Sequence, residues 1–269
     1  MNDTDRESEQ SRPSAAVDAE AVQVAIDARD TSDDPTGPRK IAVIMAHPDD
    51  AEFICAGAVA TWVKQGDEVI YVLLTSGDKG SDDPDMTPER LVATREAEQR
   101  DAARILGVKD VVFLKYPDAY LEPNLELRKA LVRVIRRLTP DVVVCQDPTV
   151  RWADQSYINH PDHRAAGEAT LAAIFPSARD RLTFPELLLE GLEPHRVREV
   201  YLAGALEPDM AIDITAEMDT KLDSLRAHAS QVTVDDEFTE TIRTWARETA
   251  EKHPGHGEYA ESFRYFKLD

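Results

Sequence analysis

The chain has 269 residues, 42% of them hydrophobic, and a formal net charge of -21, so it is one large domain or two small ones with ample length for a core. So acidic a composition argues against nucleic-acid phosphates or anionic membranes as partners, which need clustered Lys and Arg. No run of 18 apolar residues predicts a membrane span and no apolar signal core opens the chain, so a cytoplasmic location is expected.

Residues 1–38 are rich in Asp, Glu, Ser, Thr and Ala, carry Pro13, Pro35 and Pro38 and lack aromatic residues. That composition buries too little to offset ordering and predicts a disordered acidic tail ahead of one domain over 39–269. Residues 41–46 (IAVIMA) are then apolar on both faces, as in a parallel strand covered by helices on both sides. Pro48 ends this strand, and Ala56, Ala60, Trp62 and Val63 follow at helical spacing. Further strands are expected over 68–75, 111–114 and 141–145, separated by helices over 87–107 and 125–138. After a helix over 164–174, the run 175–194 has no clear assignment. Strands at 199–205 and 211–214, helices over 215–228 and 235–252, and an extended segment over 259–268 complete the chain.

Strands alternating with helices at this spacing imply βαβ units, hence a doubly wound α/β fold with a mainly parallel sheet and helices on both faces. No G-x-G-x-x-G follows the first strand, which removes the main support for a dinucleotide-binding dehydrogenase. Cys55 and Cys145 match no redox or metal spacing and are expected as small buried hydrophobes of a reducing compartment.

Two turns carry the chemistry. His47, Pro48, Asp49 and Asp50 lie between the first strand and its helix, where open α/β sheets place their sites. Imidazole and carboxylate from one turn suit Zn²⁺ or another divalent ion, although Asp49 and Asp50 also fit plain helix caps. Asn159-His160-Pro161-Asp162-His163 forms the second turn, its two histidines three apart and able to face one cavity. If the fourth strand neighbours the first, the turns converge. His47, Asp50 and His163 would then hold a metal and leave a position for water, as in catalytic zinc sites. Asp49 is the candidate general base, and His160 with Asp162 an orienting pair whose cationic imidazole assists the oxyanion and the departing amine. Spacing alone leaves either carboxylate of the first turn free to be the ligand.

AHPDDAE at residues 46–52 followed by HPDH at 160–163 resembles the PIG-L/LmbE-like zinc deacetylases. Weaker likeness continues in Arg95-x-x-Glu98, in Tyr116-Pro117-Asp118 and in His228-Ala229-Ser230-Gln231. The resemblance implies a Rossmann-like fold, one Zn²⁺ per chain on His47, Asp50 and His163, Asp49 as general base, and His160 beside the oxyanion and leaving group. It also implies that Arg95 and Asp118 contact sugar hydroxyls and that His228 stands behind the site. The mycothiol branch of that family carries a tyrosine two positions before the first histidine of the second turn. Here that position is Ile158, with Tyr157 one place off.

The expected function is removal of an acetyl group from the amine of an N-acetylated amino sugar or its conjugate, a small molecule. The alternatives are an amidase of a larger N-acyl or thiol-sugar conjugate, and a non-catalytic metal-containing sugar-binding protein. Family likeness also suggests a homo-oligomer, with the segments after Phe175 as interface.

Overall fold

The computed structural model describes residues 37–269, so all but the last two residues of the expected acidic tail lie outside the described residues. Strand β1 (Lys40–Met45) is buried along all but its first residue. Ile41, Val43 and Met45 enter one core, and Ala42 and Ile44 enter the other. That two-sided burial is what the unbroken apolar run demands, because successive strand side chains point to opposite faces.

The chain continues through α1 (Asp50–Ile54), α2 (Ala56–Lys64), β2 (Glu68–Thr75), α3 (Pro88–Leu106), β3 (Asp110–Tyr116), α4 (Leu125–Leu138) and β4 (Val142–Gln146). A short hairpin follows, β5 (Trp152–Ala153) with β6 (Tyr157–Ile158), and then α5 (Pro161–Ala172). The C-terminal part holds β7 (Glu199–Ala203), β8 (Met210–Asp213), α6 (Met218–Arg226), α7 (Asp236–Lys252) and β9 (Ala260–Lys267). The seven-stranded sheet has the order β3-β2-β1-β4-β7-β9-β8. The pairs β1 with β2, β1 with β4, β2 with β3 and β4 with β7 are parallel, while β9 runs antiparallel to β7 and β8. The doubly wound, mainly parallel sheet expected from the sequence is therefore present, extended at one edge by an antiparallel pair.

Strand order reverses between β1 and β4, since β2 and β3 lie on one side of β1 and β4 on the other. The crevice beyond the carboxyl ends of these two strands is where such sheets bind ligands, because flanking loops diverge there. Helices α4 and α5 cover one face, with Leu127, Leu131, Ile135, Ala166 and Ala169 in its core. Helices α1, α2 and α3 cover the other, around Val59, Trp62, Ala103 and Leu106. Helices α6 and α7 pack together through Leu222, Leu225, Ile242 and Ala246. No helix among the described residues is long and apolar enough to cross a membrane.

Four local features differ from the sequence expectation. The helix after β1 is broken at Cys55, whose φ of -150° separates α1 from α2. Helix α5 begins at Pro161, three residues early, because Pro at the first position needs no N–H and the His160 ring caps the Asp162 N–H. The unassigned run 175–194 contains the end of one π-type segment and the 3₁₀ segment Pro185–Glu190. The β5–β6 hairpin has two-residue strands, too short for a periodicity signal. Both cysteines are free and buried, as expected.

Gly167 sets how closely α5 approaches the end of β4. A Cβ there would lie 2.2 Å from the backbone oxygen of Gln146, an atom that cannot rotate away. Gly167→Ala is expected to destabilise the fold by roughly 1–3 kcal/mol, read from denaturant unfolding, through overpacking at this contact.

Candidate metal centre and active site

The two histidine turns meet at the switch point. Asp50 Oδ1 lies 3.0 Å from His163 Nε2, and Asp50 Oδ2 lies 3.5 Å from His47 Nδ1. His47, His160 and His163 also present ring nitrogens within 4.8 Å of one another. His47, Asp118 and Asp162 form a second such group, while the contacts through Asp50 bring together one carboxylate and two imidazoles, a borderline-soft donor set suited to Zn²⁺.

Each of these three side chains is aimed by a neighbour. The Asp50 carboxylate accepts the His47 N–H at 2.7 Å and the Gln146 side-chain amide at 3.0 Å. Gln146 is itself held by the Ala46 N–H at 3.1 Å. His163 donates Nδ1–H to Asn159 Oδ1 at 3.0 Å, which leaves Nε2 free toward Asp50. His47 Nε2 faces Asp118 Oδ1 at 3.0 Å and Asp162 Oδ2 at 3.3 Å, which leaves Nδ1 for a metal. Carboxylates and carbonyls that take the second ring proton of a ligating histidine fix its tautomer and raise its basicity. Asn159→Ala is therefore expected to weaken metal affinity about 10- to 100-fold, measured by competition with a chelating dye.

Charge in the cluster follows the same contacts. Burial disfavours a charged His47, yet hydrogen bonds to Asp118, Asp162 and Asp50 outweigh it and push its pKa up to about 12. Burial likewise opposes ionisation of Asp118, but its bond to His47 holds it down at about 2. Asp50 is held well below the usual carboxylate range by His163 and His47, against the pull of burial. A metal ion held by His47 would require the neutral ring, because imidazole coordinates only without its added proton.

Asp49 behaves differently from Asp50. It occupies the cap position of α1 with a left-handed φ of 86° and makes no side-chain capping bond. The plain capping role left open by the sequence is thus not the one it plays. Its Oδ2 accepts from Arg95 Nη2 at 3.1 Å, and its N–H donates to Gln99 Oε1 at 3.0 Å. Burial and the adjacent Asp50 raise its pKa to about 7, although Arg95 opposes them. A non-glycine residue held at positive φ costs energy, and such strain clusters at functional sites.

Three residues make contacts beyond those expected. The Asp162 carboxylate accepts the Ala119 and Leu121 N–H groups and faces His47, and it stands 4.0 Å from His160 Nδ1. The expected His160–Asp162 carboxylate pair stands at 4.0 Å, the far edge of ion-pair distance, and the Asp162 backbone N–H donates to the same His160 ring at 3.2 Å. Burial and the neighbouring His47 lower the His160 pKa, against the pull of Asp162 and Asp118. Arg95 lines the cavity, but its terminal nitrogens are engaged by Gly77 O, Pro48 O and Asp49. Asp118 lines the cavity as well, with its oxygens turned to His47 and the Lys79 N–H. Both line the cavity and at the same time brace Asp49 and His47.

His228 lies behind the centre, fully buried, with Nε2 3.2 Å from Glu52 Oε2. Glu52 Oε1 accepts from Gln99 Nε2 at 3.0 Å, so hydrogen bonds run from Glu52 through Gln99 to the backbone of Asp49, with His228 beside Glu52 as an ion-pair contact. Sequence reasoning missed Gln99, Gln146 and Asn159, which carry no charge and form no motif of their own. A cavity of about 620 Å³ opens over the cluster, lined further by Phe53, Val150, Tyr157 and Trp245. Tyr157 donates its hydroxyl to Asn159 Oδ1 at 3.0 Å, while Ile158, at the position that is tyrosine in the mycothiol branch, is 84% exposed.

A doubly wound α/β sheet with a His/Asp cluster at its switch point defines a protein with a divalent-metal type of ligand set. The chain belongs to the PIG-L family, described as GlcNAc-PI de-N-acetylase, whose profile matches residues 42–174. A diacetylchitobiose deacetylase of Thermococcus kodakarensis is 33% identical over 229 residues, covering 84% of this chain and 83% of that one. A 1D-myo-inositol 2-acetamido-2-deoxy-α-D-glucopyranoside deacetylase of Acidothermus cellulolyticus is 30% identical, covering 74% of this chain and 82% of its own length. The crystal structure of N,N'-diacetylchitobiose deacetylase from Pyrococcus horikoshii superposes with a TM-score of 0.78 at 30% identity, over 96% of this chain and 95% of that chain. These relatives are named deacetylases, hydrolases of an amide C–N bond.

Proposed function

We propose that the chain is a zinc-dependent hydrolase that removes the acetyl group from the amine of an N-acetylated amino sugar or its conjugate. The observation that carries this reading is Asp49, a buried carboxylate with no capping role, held beside the His47, Asp50 and His163 donors in one cavity. A purely sugar-binding protein has no use for such a group. Family membership and the deacetylase relatives supply the reaction class.

Zinc held by His47, Asp50 and His163 would polarise the amide carbonyl and acidify a water molecule. Asp49 accepts the proton of the attacking water, and a carboxyl with a pKa of about 7 is well matched to that task near neutrality. The same carboxyl then returns the proton to the departing nitrogen, so acetic acid and a free amine leave with no net proton stored on Asp49, and the pair ionises to acetate and an ammonium in solution. His160 accepts the Asp162 N–H at Nδ1, so its neutral ring carries hydrogen on Nε2 and offers that donor to the developing oxyanion. Arg95 keeps Asp49 turned toward the site, and Asp118 and Asp162 keep the His47 ring turned toward the metal position.

The reading extends to one zinc ion per chain and to a cytoplasmic enzyme acting on small amino-sugar conjugates. Leu182 and Leu189, 88% and 91% exposed, give the segment after Phe175 the apolar surface that self-association needs. The test is acetate release from N-acetylglucosamine and its glycosides by chain stripped of metal and then reloaded. Activity is expected to return with zinc in proportion to metal bound. Acetate release that is indifferent to chelation would overturn the reading.

A further inference from the structure

Helix α1 begins with Asp50 and follows directly on Asp49, yet it is only five residues long. A helix so short does not hold its own shape, because the cost of nucleation exceeds what one turn of hydrogen bonds returns. Its direction therefore has to come from contacts outside it. At Cys55, where φ is -150°, the helical path breaks and starts again as α2.

An ion pair fills this break. In an unbroken helix the Gly57 N–H would donate to Phe53 O and the Ala58 N–H to Ile54 O, each four residues back. Here the Gly57 N–H donates to Glu261 Oε1 at 3.1 Å and the Ala58 N–H to Glu261 Oε2 at 2.8 Å. Phe53 O accepts instead from Lys221 Nζ at 2.7 Å, and the same ammonium meets Glu261 Oε1 at 2.5 Å. The carboxylate thus caps the amino end of α2 and the ammonium the carboxyl end of α1, each opposite in sign to the helix end it faces.

Lys221 is 3% exposed and Glu261 6%, and Cys55 in the break is fully buried. Charges this deep are costly unless paired and hydrogen-bonded, and an apolar pair of similar volume would fill the space without that cost. What an apolar pair could not do is satisfy the main-chain groups of the break. Lys221 comes from α6 and Glu261 from β9, at separations of 168 and 204 residues from the groups they hold. Both lie beyond residue 174, where the family profile match ends. A second contact from the same side, His228 Nε2 to Glu52 Oε2 at 3.2 Å, fixes the middle of α1.

We infer that Lys221 and Glu261 are positioning residues of the reaction centre, which lock the break at Cys55 and so hold α1 at the angle that brings Asp50 to His47 and His163. The inference rests on the deacetylase reading above for the reaction these residues serve. Neither residue lines the cavity, and both act through α1.

The test is the zinc affinity of the full chain, measured by competition with a chelating dye. Lys221→Met alone leaves Glu261 charged and unpaired and is expected to lower the melting temperature. Lys221→Met combined with Glu261→Gln removes both charges and is expected to melt near the wild-type temperature. Zinc affinity of this double variant should still fall about tenfold, the lower end of the range for a residue that supports a metal ligand. Its kcat at saturating zinc should fall as well, with KM little changed. Lys221→Arg, which keeps the cation, should retain most of the zinc affinity. A double variant that binds zinc as tightly as wild type overturns the inference, because a native centre then forms without the pair. If the double variant does not fold, hydrogen exchange of the metal-free wild-type chain decides. The Gly57 and Ala58 amides are expected to exchange as slowly as those of β1, and markedly faster exchange overturns the lock. Zinc affinity and exchange do not depend on which substrate is turned over. A chain that meets both expectations but releases no acetate removes the deacetylase reading and leaves the lock standing.

Discussion

Asp49→Asn is expected to keep its metal and to lose roughly 10²- to 10⁴-fold in kcat, the usual range for removal of a general base. The substitution preserves shape, so the backbone bond to Gln99 and a contact with Arg95 can persist. What it removes is the ability to take a proton from water. Metal content, measured by elemental analysis, should stay at about one ion per chain, because Asp50, His47 and His163 are untouched. Full activity in this variant would end the assignment of Asp49 as base. Loss of the metal would show instead that Asp49 is a ligand.

Asp50→Ala should have the opposite signature, with bound metal falling from about one per chain toward zero and activity falling with it. The carboxylate joins the two turns: one oxygen meets His163, and the other meets His47, the His47 N–H and Gln146. Without it, two imidazoles remain with no anionic partner between them, and the Gln146 amide loses its acceptor. The melting temperature of metal-free chains separates loss of ligand from loss of fold. A variant that binds zinc with unchanged affinity would mean that the first turn supplies its other carboxylate.

The two experiments divide a pair of adjacent aspartates that spacing could not divide. In the folded chain they differ by backbone conformation. Asp49 is turned out of the helix by its left-handed φ of 86° and clamped by Arg95, whereas Asp50 begins α1 and points back at His47 and His163. That difference in conformation underlies the proposed division, in which Asp50 joins the metal ligands and Asp49 handles protons.

Much of the scaffold was legible because its signals are local. The apolar run of β1, the proline that ends it, the Thr87-Pro88 start of α3 and the glycine at 107 each act within a few residues. Thr87 indeed caps α3 by accepting the Arg90 N–H, and Gly107 closes it at a φ of 78°. The antiparallel edge was not legible, since β9 returns between β7 and β8 through pairings whose partners lie some 50 to 70 residues apart in the chain.

By itself, then, the sequence determined that two turns rich in histidine and aspartate stand at strand ends of a doubly wound sheet, with more than one candidate ligand among them. Only the tertiary structure decided who supports them. Asp118 and Asp162 were expected near the substrate and near His160, yet both face the His47 ring, at sequence separations of 71 and 115 residues. Gln99, Gln146 and Asn159 came to the centre with no sequence mark at all. The physical reason is that a ligand is announced by its own chemistry, while a residue that aims it needs only one correctly placed hydrogen bond, and that placement comes from strand order and helix packing.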